Sequence, residues 1–437
     1  MTAASLLPMS SKTFVALAAA SCLSGYVFAY GTRVFPEPPL RSDAFSYYVY
    51  LPAWFIFADP SLTAVARDCC GGHFPEWTNI NRWPGTRRWV NAHPMGVAVM
   101  QAPLFFVAHG LTRWTNLSPD GFSLYYQHAA GLSGVLAVVA GLWTLRRLLL
   151  RHYSDGITTA TLATLLFATN LYHYATLDST WSHAYSFLLI AAFLDLTERW
   201  HEYPTLRRSV WLGAVGALIV LVRHTNALFL LFMPLYGVRD AVTLRSAVTR
   251  LAEERKMLAV AAGVGGALLV PQVLMYYFAT GRPLVSSYRV VGGFDFTSPE
   301  LWGVLFSVQK GVFFWSPVLL LATAGLPMMR GTVRRFLLPA TVVLATHAYL
   351  IASWFDWQFG GSYGHRGFVD ALPVFALGLA AFFVAVAHRP LFRTAIAAVC
   401  TVAAALSLFQ MLQYWYGILP FMDLTWPEYR RLFLTWR

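Results

Sequence analysis

Asp43 is the residue best placed for general-base chemistry in this chain. It lies in the segment Arg41-Ser-Asp-Ala-Phe-Ser-Tyr-Tyr-Val-Tyr-Leu-Pro52, about a dozen residues beyond the first apolar run and beside a short aromatic helix expected at Phe45 to Phe57. A carboxylate at such a boundary can take the proton of a hydroxyl brought up to the lipid, a contribution of ~10² to 10⁴ in rate. The alternative is an interfacial carboxylate that pairs with Arg41 or Arg33, and spacing alone leaves the two readings open.

A second cluster lies late in the chain, in Trp354-Phe-Asp-Trp-Gln-Phe-Gly-Gly-Ser-Tyr-Gly-His-Arg-Gly367. Its glycines let backbone approach a ligand, and the planar fork of Arg366 beside His365 suits a phosphate. An aromatic anchor with a turn is the plainer reading. Arg289 in Ser286-Ser-Tyr-Arg and Lys310 in Ser307-Val-Gln-Lys-Gly are further cations for a phosphate, or side chains snorkelling to head groups. Asp178, His183 and His93 complete the ionisable set, with Tyr47 and Tyr363 as neighbouring hydrogen-bonding aromatics. Arg223-His224 sits at a helix-hairpin turn, where such residues commonly serve orientation.

The elements that must position these groups are membrane helices. With 57% hydrophobic residues, 12% charged and a mean hydropathy of +0.53, the chain carries more apolar surface than a water-soluble core can hide. The apolar residues fall into runs near the ~20 residues that cross a ~30 Å hydrocarbon layer as helix. Helices satisfy their own backbone in lipid, and the alternating pattern of a β-barrel is absent. The expected fold class is therefore all-α, a polytopic transmembrane bundle. The net charge of +12 is dispersed as short basic clusters between apolar runs, the positive-inside pattern and not a nucleic-acid footprint.

Placing Lys12, Arg146 to Arg151, Arg199 to Arg208, Arg239 to Lys256, Arg330 to Arg335 and Arg389 to Arg393 on the inner side requires an even number of crossings between them. That gives about eleven, with runs at 13–30, 127–145, 157–175, 183–198, a hairpin at 209–238, then 257–279, 312–328, 336–353, 367–387 and 394–413. The run at 95–112, with Pro94 and Pro103, is then juxtamembrane or re-entrant. Residues 31–125 form one large outer loop within a single membrane domain of 1–437, and the tail from Tyr414 lies at the outer interface. The first helix reads as uncleaved. Cys69 and Cys70, neighbours in sequence, are expected to stay unbridged, and the four cysteines make no zinc spacing.

In this arrangement the outer ends collect the ionisable groups not needed for orientation, and the pattern resembles the membrane-embedded glycosyltransferase C fold. The likeness covers most of the chain and is to the branch of protein O-mannosyltransferases and aminoarabinose transferases. Asp43 matches the family acid after the first helix, His93-Pro94 is similar to a family Lys-Pro opening, and Asp178 matches a second acid. Departures are Asp43-Ala44 for the family's Asp-Glu pair and His93 for its lysine.

The resemblance implies inverting transfer of a sugar from a polyprenyl-phosphate donor to a glycan, lipid or protein acceptor at the outer face of a bacterial plasma membrane, with the N-terminus inside and the C-terminus outside. Asp43 would be the base. His365 and Arg366 with Arg289 or Lys310 would hold the leaving phosphate, and Asp178, His93, His183, Tyr47 and Tyr363 would orient donor or acceptor. The departures leave a divalent cation open. The rivals are a polymerase or ligase of lipid-linked glycans, and a transporter or flippase of anionic lipid or lipid-linked sugar.

Overall fold

A computed structural model describes residues 9–32, 34–288 and 291–436, and it is built almost wholly from helices. In chain order these are α1 (Ser11–Gly31), α2 (Asp43–Tyr48), α3 (Tyr50–Phe55), α4 (Thr63–Cys70), α5 (Gly96–Thr112), α6 (Leu124–Leu149), α7 (Asp155–Phe167), α8 (Leu171–Tyr174), α9 (Ser182–Glu202) and α10 (Leu206–Val222). The second half continues with α11 (Phe232–Leu235), α12 (Ala241–Glu253), α13 (Arg255–Thr280), α14 (Leu301–Phe306), α15 (Val312–Trp315), α16 (Val318–Gly325), α17 (Leu337–Ala352), α18 (Leu372–Ala387), α19 (Pro390–Trp415) and α20 (Trp426–Leu432). Among the described residues, five helical stretches are long and apolar enough to span a bilayer: α1, α6, α13, Gly331–Ala352 (which holds α17) and α19. The protein is a multi-pass, all-α membrane protein.

Local chemistry sets where these helices begin and stop. Ser10 caps α1 through Thr13 N–H, Ser154 caps α7 through Ile157 N–H, and Asp240 opens α12 with a capping box to Thr243. The run at 312–328 is broken into α15, α16 and a 3₁₀ turn around Pro317 and Pro327, as missing backbone donors demand. The run at 157–175 likewise stops at Phe167 and resumes as α8.

Two close approaches place the walls of the site. A side chain at Gly213 of α10 would meet Ala261 O of α13 at 2.1 Å, and one at Gly96 of α5 would strike the α10 backbone at Leu221, 2.4 Å away. Small residues at such crossings let helix backbones touch, the usual mode of packing in lipid.

Between α4 and α5 a two-stranded antiparallel hairpin, β1 (Ile80–Arg82) and β2 (Trp89–Asn91), lies within a segment read as wholly helix and loop. Thr86 at its tip bonds Ala279 O, and Arg88 bonds Phe278 O, at the C-terminus of α13. A second difference concerns Cys69 and Cys70, which are joined in a disulfide at the end of α4.

Candidate active site

Asp43 opens α2, directly after Ser42, whose φ of +49° puts a non-glycine residue in a sparsely populated region. Its carboxylate faces a cavity of about 710 Å³. Arg366 Nη2 is 3.0 Å from Oδ2, and His93 Nε2 is 3.7 Å from Oδ1. Burial raises the Asp43 pKa, but Arg366, with His93, His183 and Arg223, outweighs it and holds the carboxyl below its ordinary value. Burial pushes His93 down to about 4, so its ring is neutral at pH 7. Asp43 is therefore ionised, with one of its oxygens only loosely engaged.

The His93-Pro94 turn is held from several sides. His93 N–H donates to Asn91 Oδ1, Tyr50 O–H to His93 O, Ser287 O–H to Ala92 O, and Met95 N–H to Gln272 Oε1. The ring packs edge-on to Tyr47 at 4.4 Å and to Tyr288 at 5.7 Å. Tyr47 O–H donates to Ser182 Oγ at the start of α9. Arg366 stacks over Trp181 at 4.4 Å, and the loop carrying it is tied to residues 293–300 through Phe355 N–H to Gly293 O, Asp295 N–H to Ser353 O and Glu300 N–H to Ala352 O.

A second buried carboxylate bonds residues that line the same cavity. Asp370, in the turn before α18, is wholly buried and accepts from His183 Nδ1 at 2.9 Å and Asn226 Nδ2 at 3.0 Å, with Arg223 Nη1 at 3.6 Å. Arg223 lies over Phe359 at 5.2 Å and lines the same cavity as Arg366. Sequence reading counts Arg223 among the outer ionisable groups but ranks it below the other cations, and it passes over Asp370. The available signal was a carboxylate within a run otherwise free of charge, which in a membrane segment marks function by default. Leu221 of α10, Leu269 and Val273 of α13, and Leu350 and Ile351 of α17 form an apolar wall.

The sequence-selected residues thus divide. Asp43, Tyr47, His93, His183 and Arg366 line the cavity. Asp178, His365, Lys310 and Tyr363 do not. Asp178 accepts from Arg41 Nη2 at 2.5 Å and is 2.8 Å from His173 Nε2, while Trp415 Nε1 donates to His173 Nδ1 and so fixes the proton on Nε2. His365 is buried between Phe359 and Phe368 with neither ring nitrogen partnered, and burial holds it well below its ordinary value, hence neutral. Lys310 donates to Ser362 O and Phe421 O, and burial with the nearby Arg366 pushes it down to about 7. Tyr363 O–H donates to Ser407 O. Lys310 and Tyr363 tie the 354–366 loop to the bundle. Arg289 lies outside the described residues, although its neighbours Ser286, Ser287, Tyr288 and Val291 line the cavity.

A resident divalent cation does not fit this arrangement. Asp43 Oδ2 faces a guanidinium, both oxygens of Asp370 are spent on His183 and Asn226, and among the described residues no group of three or more His, Cys, Asp or Glu side chains is disposed to hold a metal.

No family model matches the chain, and no curated protein matches it in sequence. Its structure is similar to that of an archaeal oligosaccharyltransferase, AglB from Archaeoglobus fulgidus, solved in complex with an inhibitory peptide and a dolichol-phosphate, with a TM-score of 0.50 and 12% identity. The match covers 93% of this chain but 56% of that one. At this identity the likeness carries the fold alone: the two chains share a helical membrane architecture.

Proposed function

We propose that the protein is a membrane glycosyltransferase that moves a sugar from a polyprenyl-phosphate donor to an acceptor hydroxyl at the extracytoplasmic face, with inversion. The observation that carries this reading is one cavity holding an ionised carboxylate, two guanidinium groups and a wall of membrane-helix apolar side chains. That combination suits a substrate with an isoprenoid tail, a phosphodiester and a sugar. The dolichol-phosphate in the structurally similar protein supports the same donor class.

In this mechanism the acceptor O–H gives its proton to Asp43 as its oxygen attacks the anomeric carbon. The bond from that carbon to the phosphate oxygen breaks, and the leaving polyprenyl phosphate gains a negative charge. Arg223 and Arg366 meet that charge where it develops, which is where fixed cations accelerate most. Arg366 changes partner along the way. As the donor phosphate arrives it draws the guanidinium off Asp43, and loss of that neighbour makes the carboxylate a stronger base. Asp370 holds Arg223 and His183 in the cavity lining, and Asp178 acts at a distance by anchoring Arg41, two residues before Asp43.

The test is turnover of a labelled polyprenyl-phosphate sugar by Asp43→Asn, with folding followed by thermal melting in detergent. The expected outcome is folded protein with activity reduced by ~10² to 10⁴. Retained turnover would remove Asp43 from the chemistry.

A further inference from the structure

Helix α9 begins beside the cavity, at His183, and reaches a second, smaller cavity at His201. At 1.5 Å per residue the two are about 27 Å apart along its axis, close to the thickness of a hydrocarbon layer, ~30 Å. The second cavity therefore lies at the opposite membrane boundary. Its volume is about 220 Å³, and Tyr236, Thr243, Ser246, Arg250 and Arg335 join His201 in lining it.

The charge at this end is unevenly matched. Arg151 and Arg199 are paired with Asp195 and Glu198, and His152 takes Glu198 as well. Tyr236, in the cavity wall, donates its O–H to Glu198 Oε1. Arg250 and Arg335 have no carboxylate within 4.0 Å among the described residues, so two guanidinium groups converge on one small space with no internal anion.

The helix that supplies Arg250 adds an apolar component. On α12, Thr243, Ala247 and Leu251 turn partly inward, while Leu244 (45% exposed) and Val248 (59%) are exposed. Arg239, Arg255 and Lys256 flank that stripe. A helix with this division lies in the membrane interface, apolar face down and cations at head-group level.

We propose that this cavity binds the head group of an anionic phospholipid in the leaflet opposite the Asp43 cavity. The phosphate would sit between Arg250 and Arg335, with Ser246 and Tyr236 beside it and the acyl chains along the Leu244–Val248 stripe. A soluble phosphate fits the guanidinium pair but leaves the stripe bare, so a lipid is the occupant that uses the whole surface. Positive charge beside a membrane helix favours anionic head groups on electrostatic grounds.

The experiment compares the full-length protein in phosphatidylcholine nanodiscs with and without phosphatidylglycerol, counting retained lipid by native mass spectrometry and following thermal melting. The wild type should retain phosphatidylglycerol and melt higher in its presence. The R250Q/R335Q variant should bind it about tenfold or more weakly and lose the shift, whereas R245Q, on the outer side of α12, should keep both. Should the double variant not fold, each single variant should show the same loss at smaller amplitude. Equal retention by wild type and R250Q/R335Q, or equal loss in R245Q, overturns the site. A melting shift of the same size from soluble glycerol phosphate overturns the lipid assignment.

Discussion

Several carboxylates in this protein keep company with an arginine and a histidine, and two of them, Asp178 and Asp43, differ in what is left over. Asp178 is locked: Arg41 and His173 occupy its oxygens, Tyr30 and Trp415 extend the network, and it does not line the Asp43 cavity. Asp43 has Arg366 on one oxygen and only a distant, neutral His93 near the other, and it opens onto 710 Å³ of space. The same residue types build a bolt in one place and a site in the other. Satisfied hydrogen bonding gives rigidity, and incomplete satisfaction beside a cavity gives chemistry.

Substitution can break that contrast. The largest effect on turnover should come from Asp43→Asn, as given above, with little change in melting because the cavity lets water reach Arg366. Asp178→Asn should do the reverse, costing about 3–5 kcal/mol because it leaves Arg41 buried without its partner. Melting in detergent reads this loss, and turnover per folded molecule should fall far less than for Asp43→Asn. Comparable losses of turnover in the two variants would erase the distinction.

The next effect in size concerns the phosphate grip. Arg223→Gln should weaken use of the polyprenyl-phosphate donor by about 10- to 100-fold in kcat/KM, the loss expected for one charge-assisted contact. Lys310→Gln should disturb stability more than donor use, because Lys310 meets only backbone carbonyls, Ser362 O in the loop and Phe421 O beyond α19.

A smaller and more diagnostic effect lies in the pH profile. Arg366 lowers the Asp43 pKa, so the carboxylate is ionised above its depressed value and the acid limb of kcat/KM should fall below the usual carboxylate range. Arg366→Gln leaves burial unopposed by its nearest cation, so that limb should move to higher pH. His93 remains neutral above about 4, which means no rise or fall near its ordinary value of 6.5 should belong to it. The smallest effect should be that of Tyr47→Phe, which removes a single neutral hydrogen bond to Ser182, worth ~1 kcal/mol.

Much of the fold was readable from apolar run length, because lipid requires each run to satisfy its own backbone. The run at 257–279 appears as α13, that at 394–413 within α19, and that at 95–112 as α5. The β1–β2 hairpin was not readable, since three-residue strands leave no periodicity to detect. For the site, sequence could say which groups lie near one end of the bundle, as with Asp43 and Arg366. It could not say which side of a loop a side chain takes. Lys310 and His365 have the residue types of a phosphate site, yet both are buried and neither lines the cavity. Asp370 escaped notice because its neighbours in sequence are apolar, and only packing of α9, α10 and α18 brings it to Arg223 and His183.

The central claim is that donor phosphate enters beside Asp43 and takes Arg366 from it. An experimental structure of the protein with bound polyprenyl phosphate tests this most directly. The account predicts phosphate oxygens within hydrogen-bond distance of both Arg223 and Arg366, with the Arg366–Asp43 separation lengthened from 3.0 Å and the prenyl chain along Leu269 and Val273. A phosphate bound elsewhere, with the Asp43–Arg366 pair intact, would contradict it.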